Sequence, residues 1–115
     1  MTSPVVHFEI QSSDAPQLHA FYSDAFGWSI DANNPMNYGI IGAGEGGIGG
    51  GIGPSMDGTN LVTFYIQVDD IAAALEKVAK LGGKTVMGPM DVPDGPTLAL
   101  FNDPQGNTVG LVTGM

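Results

Sequence analysis

A chain of 115 residues has the length of one domain, and its 43% hydrophobic content with 18 glycines and 8 prolines describes a globular, turn-rich protein. Twelve acids face only three lysines and no arginine, a formal charge of −9, which disfavours nucleic acids, phosphates and carboxylates because their usual clamps are cationic. With no cysteine, disulfides, thiolate catalysis and cysteine-ligated zinc are excluded; no apolar run reaches membrane-spanning length and no leader pattern opens the chain, so a cytoplasmic protein is expected.

Val5–Gln11 alternates with the period of a half-buried strand, Val6, Phe8 and Ile10 on one face and His7, Glu9 and Gln11 on the other. Ser13 and Asp14 supply a helix N-cap, and Pro16 is tolerated in the first turn. Leu18, Phe21, Tyr22 and Ala25 continue at helical spacing until Gly27 stops them, and His19 is expected to face solvent.

Trp28–Asp31 and Asn37–Ile41 read as short strands around the Asn33-Asn34-Pro35 turn. Gly42–Gly53 contains a formal G-x-G-x-x-G, but the glycine run that follows cannot sustain the helix a dinucleotide loop requires. An extended glycine-rich strand, with Ile48 and Ile52 on one face, is the expectation. Pro54–Asn60 forms a hinge of turn residues.

Phe64, Ile66, Gln67 and Asp70 then echo Phe8, Ile10, Gln11 and Asp14 at one constant spacing, so one unit is used twice. Val62, Phe64 and Ile66 face one side of the second strand, and Thr63, Tyr65 and Gln67 the other. Asp69 and Asp70 open a helix that Gly82-Gly83 closes, with Lys77 and Lys80 at its negative end. Thr85–Met87, Thr97–Phe101 and Asn107–Val112 read as strands, with a loop at Met90–Pro96. The prediction is an α+β protein of two βαβββ modules, about 1–55 and 59–115, in a single domain.

Several segments carry a family likeness: His7 with Asp14, Phe21-Tyr22, Phe26-Gly27-Trp28, Val68-Asp69-Asp70, Leu81-Gly82-Gly83 and Asp103-Pro104-Gln105-Gly106-Asn107. Together they make the chain resemble the vicinal oxygen chelate superfamily of glyoxalases, extradiol dioxygenases and bleomycin-resistance proteins. The resemblance implies sheets curled around a cleft, lined by the strand faces opposite the helices, and a homodimer. It also implies metal ligands on the first and last strands of each module. His7 matches one, but Thr63 stands in place of the second histidine and Gly110 in place of a carboxylate. Gly49 and Gly51 have no side chain to offer, so no metal is expected unless Glu9 or Glu45 reaches in.

His7 and Glu9, about 6–7 Å apart along one strand face, are the candidate acid–base pair, with a polar lining of the cleft as the other reading. Gln11, Trp28, Tyr38, Thr63, Tyr65, Gln67 and Met87 are the candidate ligand-binding residues. The expected function is small-molecule binding without metal, the ligand neutral or cationic and of aromatic or apolar character. The alternative is a lyase, isomerase or dioxygenase-like enzyme using a non-standard metal or His7/Glu9 chemistry.

Overall fold

A computed structural model describes residues 2–55, 57–93 and 95–114. Met56, within the expected hinge, and Asp94, within the expected Met90–Pro96 loop, lie outside the described residues. The chain divides into two compact units, His7–Thr63 and a second that joins the chain's start through Val6 to everything from Phe64 onward.

In the first unit, β1 (Val5–Ser12) leads into α1 (Ala15–Phe26), then β2 (Ile30–Asp31), β3 (Gly39–Ile41) and β4 (Gly50–Pro54). The strand order is β2-β3-β4-β1: β4 runs parallel to β1, with Phe8 opposite Gly50 and Glu9 opposite Gly51, and β3 runs antiparallel to β4. The second unit repeats this plan. β5 (Leu61–Gln67) leads into α2 (Ile71–Lys80), then β6 (Lys84–Asp91), β7 (Thr97–Asn102) and β8 (Thr108–Thr113), with β8 parallel to β5 and antiparallel to β7. Each half is therefore βαβββ with its last strand returned beside its first, as the repeat in the sequence requires.

The helix ends follow from local chemistry. Asp14 accepts a hydrogen bond from the Gln17 amide at 3.2 Å and Asp70 one from the Ala73 amide at 3.0 Å, each satisfying a donor that the first helical turn leaves open. Gly27 takes the left-handed conformation (φ 70°) and its amide donates to the Ser23 carbonyl, closing α1. The exposed Glu76–Lys80 pair, 3.9 Å apart on α2, adds little.

Beneath α1, Ile10, Ala15, Ile41 and Ile52 form a core flanked by Phe8, Leu18, Tyr22, Trp28 and Ile30. Beneath α2, Ile71, Leu75, Ala99 and Leu111 do the same. The second unit also has a third cluster, of Tyr65, Leu100 and Val112 with Val6, Met87 and Leu98. Strand alternation places this cluster on the sheet face away from α2.

Several local expectations change. Phe21 is 55% exposed, because it lies about a third of a turn off the Ala15–His19–Tyr22 row that faces the sheet. His19 faces inward: its Nε2 lies 2.9 Å from the Ile52 carbonyl oxygen. Val6 packs with the Tyr65 cluster of the second unit. The glycine segment is extended only from Gly50, so Ile48 lies in the preceding loop, 44% exposed, while Ile52 is fully buried. β6 runs on through Met90 and Asp91, with register shifts on either side of Met87 absorbing the Gly88-Pro89 irregularity.

Candidate binding site

β1 carries His7, Glu9 and Gln11 on the face opposite Phe8 and Ile10, and its parallel partner β4 offers bare backbone at Gly51 and Gly53, opposite Glu9 and Gln11. Tyr38 fills that space. A methyl group added at Gly53 would sit 2.6 Å from Tyr38 Cδ1, and one at Gly51 would overlap the phenol end of the ring. The glycines of β4 thus act as a flat bed for one aromatic side chain.

The turn before β3 aims the ring. The Tyr38 amide donates to Asn34 Oδ1 at 3.0 Å, and Asn34 Nδ2 donates to the Tyr38 carbonyl at 2.8 Å. Asn37 adopts φ 52°, a conformation asparagine tolerates better than most residues. Held this way, the Tyr38 hydroxyl donates to Glu9 Oε1 at 3.0 Å and lies 3.0 Å from His7 Nε2. Gln11 Nε2 donates to Glu9 Oε2 at 2.8 Å. With its proton directed to Glu9, the Tyr38 oxygen accepts from His7, which assigns the His7 proton to Nε2. Burial pushes the His7 imidazole below its ordinary pKa, and the neighbouring Glu9 carboxylate, pulling the other way, does not offset it.

Within the first unit the structure brings together His7, Glu9, Gln11 and Tyr38. Trp28 packs with Phe8 (centroids 5.4 Å apart) and stacks on Tyr22 at 5.0 Å and 12°, so it belongs to the α1 side of its unit and not to the His7–Glu9 face. Tyr65 is 3% exposed, with its ring against Gly110, its register partner on β8. Met87 packs in the same apolar cluster. Thr63 is buried, while Gln67 is half-buried and its amide donates to the Pro4 carbonyl at 2.9 Å. Sequence reasoning missed Asn34, Gly51 and Gly53 as parts of the site. Their signal was the i, i+2 spacing of the two glycines and the asparagines flanking Pro35.

The donor set does not fit the four-ligand metal centre that the resemblance implies. At Gly51 and at Gly110, where side-chain ligands would stand, a tyrosine ring occupies the space instead. Among the described residues no three His, Asp or Glu side chains come together.

A duplicated βαβββ chain with polar side chains on its first strand is the architecture of the vicinal oxygen chelate proteins. The family model of the Glyoxalase/Bleomycin resistance protein/Dioxygenase superfamily matches residues 5–111, and the chain belongs to that superfamily. It is 35% identical over 99 residues to the putative glyoxylase CFP32 of Mycobacterium tuberculosis, an alignment that covers 82% of this chain and 38% of that protein. The chain thus spans well under half the length of that relative. It is 33% identical to a glyoxylase-like domain-containing protein of Didymella fabae, covering 91% of this chain and 89% of the other. Among solved structures, a glyoxalase/bleomycin resistance protein/dioxygenase superfamily member from Vibrio splendidus superposes with a TM-score of 0.67 at 16% identity. That match covers 98% of this chain and 100% of the other. No helix among the described residues is long and apolar enough to cross a membrane.

Proposed function

We propose that this chain is a small-molecule-binding protein of the glyoxalase/bleomycin-resistance type, holding a neutral or cationic ligand at the His7–Tyr38–Glu9 face of β1 without a resident metal. The observation that carries this reading is the half-buried Glu9 carboxylate oriented by Tyr38 and Gln11. Neutral donors orient a carboxylate without cancelling its charge, so the group keeps its attraction for a cation or a hydrogen-bond donor. The overall charge of −9 adds to this by concentrating cations and repelling anions.

Calorimetric titration with benzamidine, benzamide and benzoate, three planar compounds of different charge, tests the proposal. Benzamidine binds more tightly than benzoate, its affinity falls with added salt, and Glu9→Gln removes the preference. Binding of benzoate alone, indifferent to Glu9→Gln, overturns it.

The hydrogen-bonded line from imidazole through phenol to carboxylate supports a second reading, an enzyme of the lyase or isomerase kind with Glu9 as base towards a carbon acid and His7–Tyr38 as the proton relay. Deuterium exchange from solvent into a bound carbon acid, lost in Glu9→Gln, separates the enzyme from the binding protein.

A further inference from the structure

On the α1 side of the first unit, away from the His7–Glu9 face, lies an open hollow of ≈ 530 Å³ walled by Phe8, Phe26, Trp28, Ile41 and Ile48 and floored by the Gly42–Gly47 loop. We propose that this hollow is a second binding site, for an uncharged planar aromatic molecule.

Four features fit that occupant. The volume falls within the range of about 300–1,000 Å³ typical of small-molecule pockets and is too small for a folded partner. Among the described residues no charged side chain lines the hollow, so neither a cation nor an anion finds a counter-charge there. Phe26 and Ile48 at its rim are 64% and 44% exposed, apolar surface whose burial by a ligand is favourable. Trp28 is already stacked on Tyr22 and tilted against Phe8 and Phe26 (centroids 5.4 and 6.1 Å), so a rigid aromatic wall exists before any ligand arrives.

The glycine loop completes the site. Gly42, Gly44 and Gly47 place only backbone against the hollow, and a methyl group added at Gly42 or Gly44 would meet nothing within 4 Å. A flat ring can therefore approach the peptide groups closely, with backbone N–H and C=O and the Ser29 side chain as the polar partners along its edge.

Trp28 is the only tryptophan of the chain, so its emission reports on this hollow. N-phenyl-1-naphthylamine, an uncharged fluorescent aromatic, is titrated into the full chain while energy transfer from Trp28 is followed. The expected result is saturable binding of one probe per chain, weakened about tenfold or more by Ile48→Asp, which puts a charge at the rim, and also weakened by Phe26→Ala. Both rim residues are exposed, so the variants fold, and circular dichroism checks this. Glu9→Gln leaves probe binding unchanged, which separates this site from the one proposed above. Non-saturable binding, affinity unchanged from the unsubstituted chain in both rim variants, or probe binding that appears only on dilution from dimer to monomer overturns the proposal; the last result assigns the hollow to a second copy of the chain.

Discussion

The phenol end of Tyr38 lies over the bare backbone of Gly51, which faces Glu9 across the β1–β4 pair. The second unit repeats the relationship with Tyr65 over Gly110 on the β5–β8 pair. In both halves a tyrosine occupies the space that a metal-binding side chain on the last strand would need, but the consequences differ. Tyr38 turns its hydroxyl to His7 and Glu9, whereas Tyr65 packs among Leu100, Val112, Met87 and Leu98.

Gly51→Ala is expected to displace the Tyr38 ring and destabilise the protein by about 1–3 kcal/mol, the usual cost of overpacking. Urea unfolding measures it. The Tyr38 hydroxyl should leave Glu9 at the same time, and unchanged stability would mean that the ring does not rest on this strand.

Gly110→Glu, which restores the missing carboxylate of the second module, is expected to cost more than about 2 kcal/mol without creating a metal site, because the new side chain collides with the Tyr65 ring and carries a charge into an apolar cluster. Combining it with Tyr65→Ala should cost less than the two changes added together, since both act on one volume. A thermal-unfolding double-mutant cycle gives the comparison, and strict additivity would refute the contact.

His7 should titrate below the ordinary histidine value of about 6.5 when followed by NMR through its ring protons. Its folded-state pKa is lowered, chiefly by burial. Its contribution to stability is therefore fully present above the unfolded value and is lost as pH falls through the folded value, where the imidazole must charge in a half-buried place. In Tyr38→Phe the Nε2–H loses its acceptor, and the tautomer preference seen in the ¹⁵N shifts should weaken. A His7 that titrates above the ordinary value would contradict the assignment.

Protein dialysed without chelator should hold no stoichiometric divalent metal by elemental analysis. One tightly held ion per chain would revive the reading of a metal-dependent enzyme with Glu9 as an unorthodox ligand.

Much of this fold is governed by local chemistry. The alternation of β1 and β5, the Asp14 and Asp70 caps, the Gly27 stop and the spacing of the repeat each depend on residues within a few positions of one another, and together they specify two βαβββ modules. The same alternation put His7, Glu9 and Gln11 on one face. What lies against that face depends on long-range strand pairing. A glycine shows nothing of what will cover it, so Gly51 and Gly110 read as absent ligands when they are contact surfaces for tyrosines brought in by strand pairing. His19 went astray for the same reason: a side chain on a helix flank finds its partners through long-range packing, and local periodicity carries no record of it.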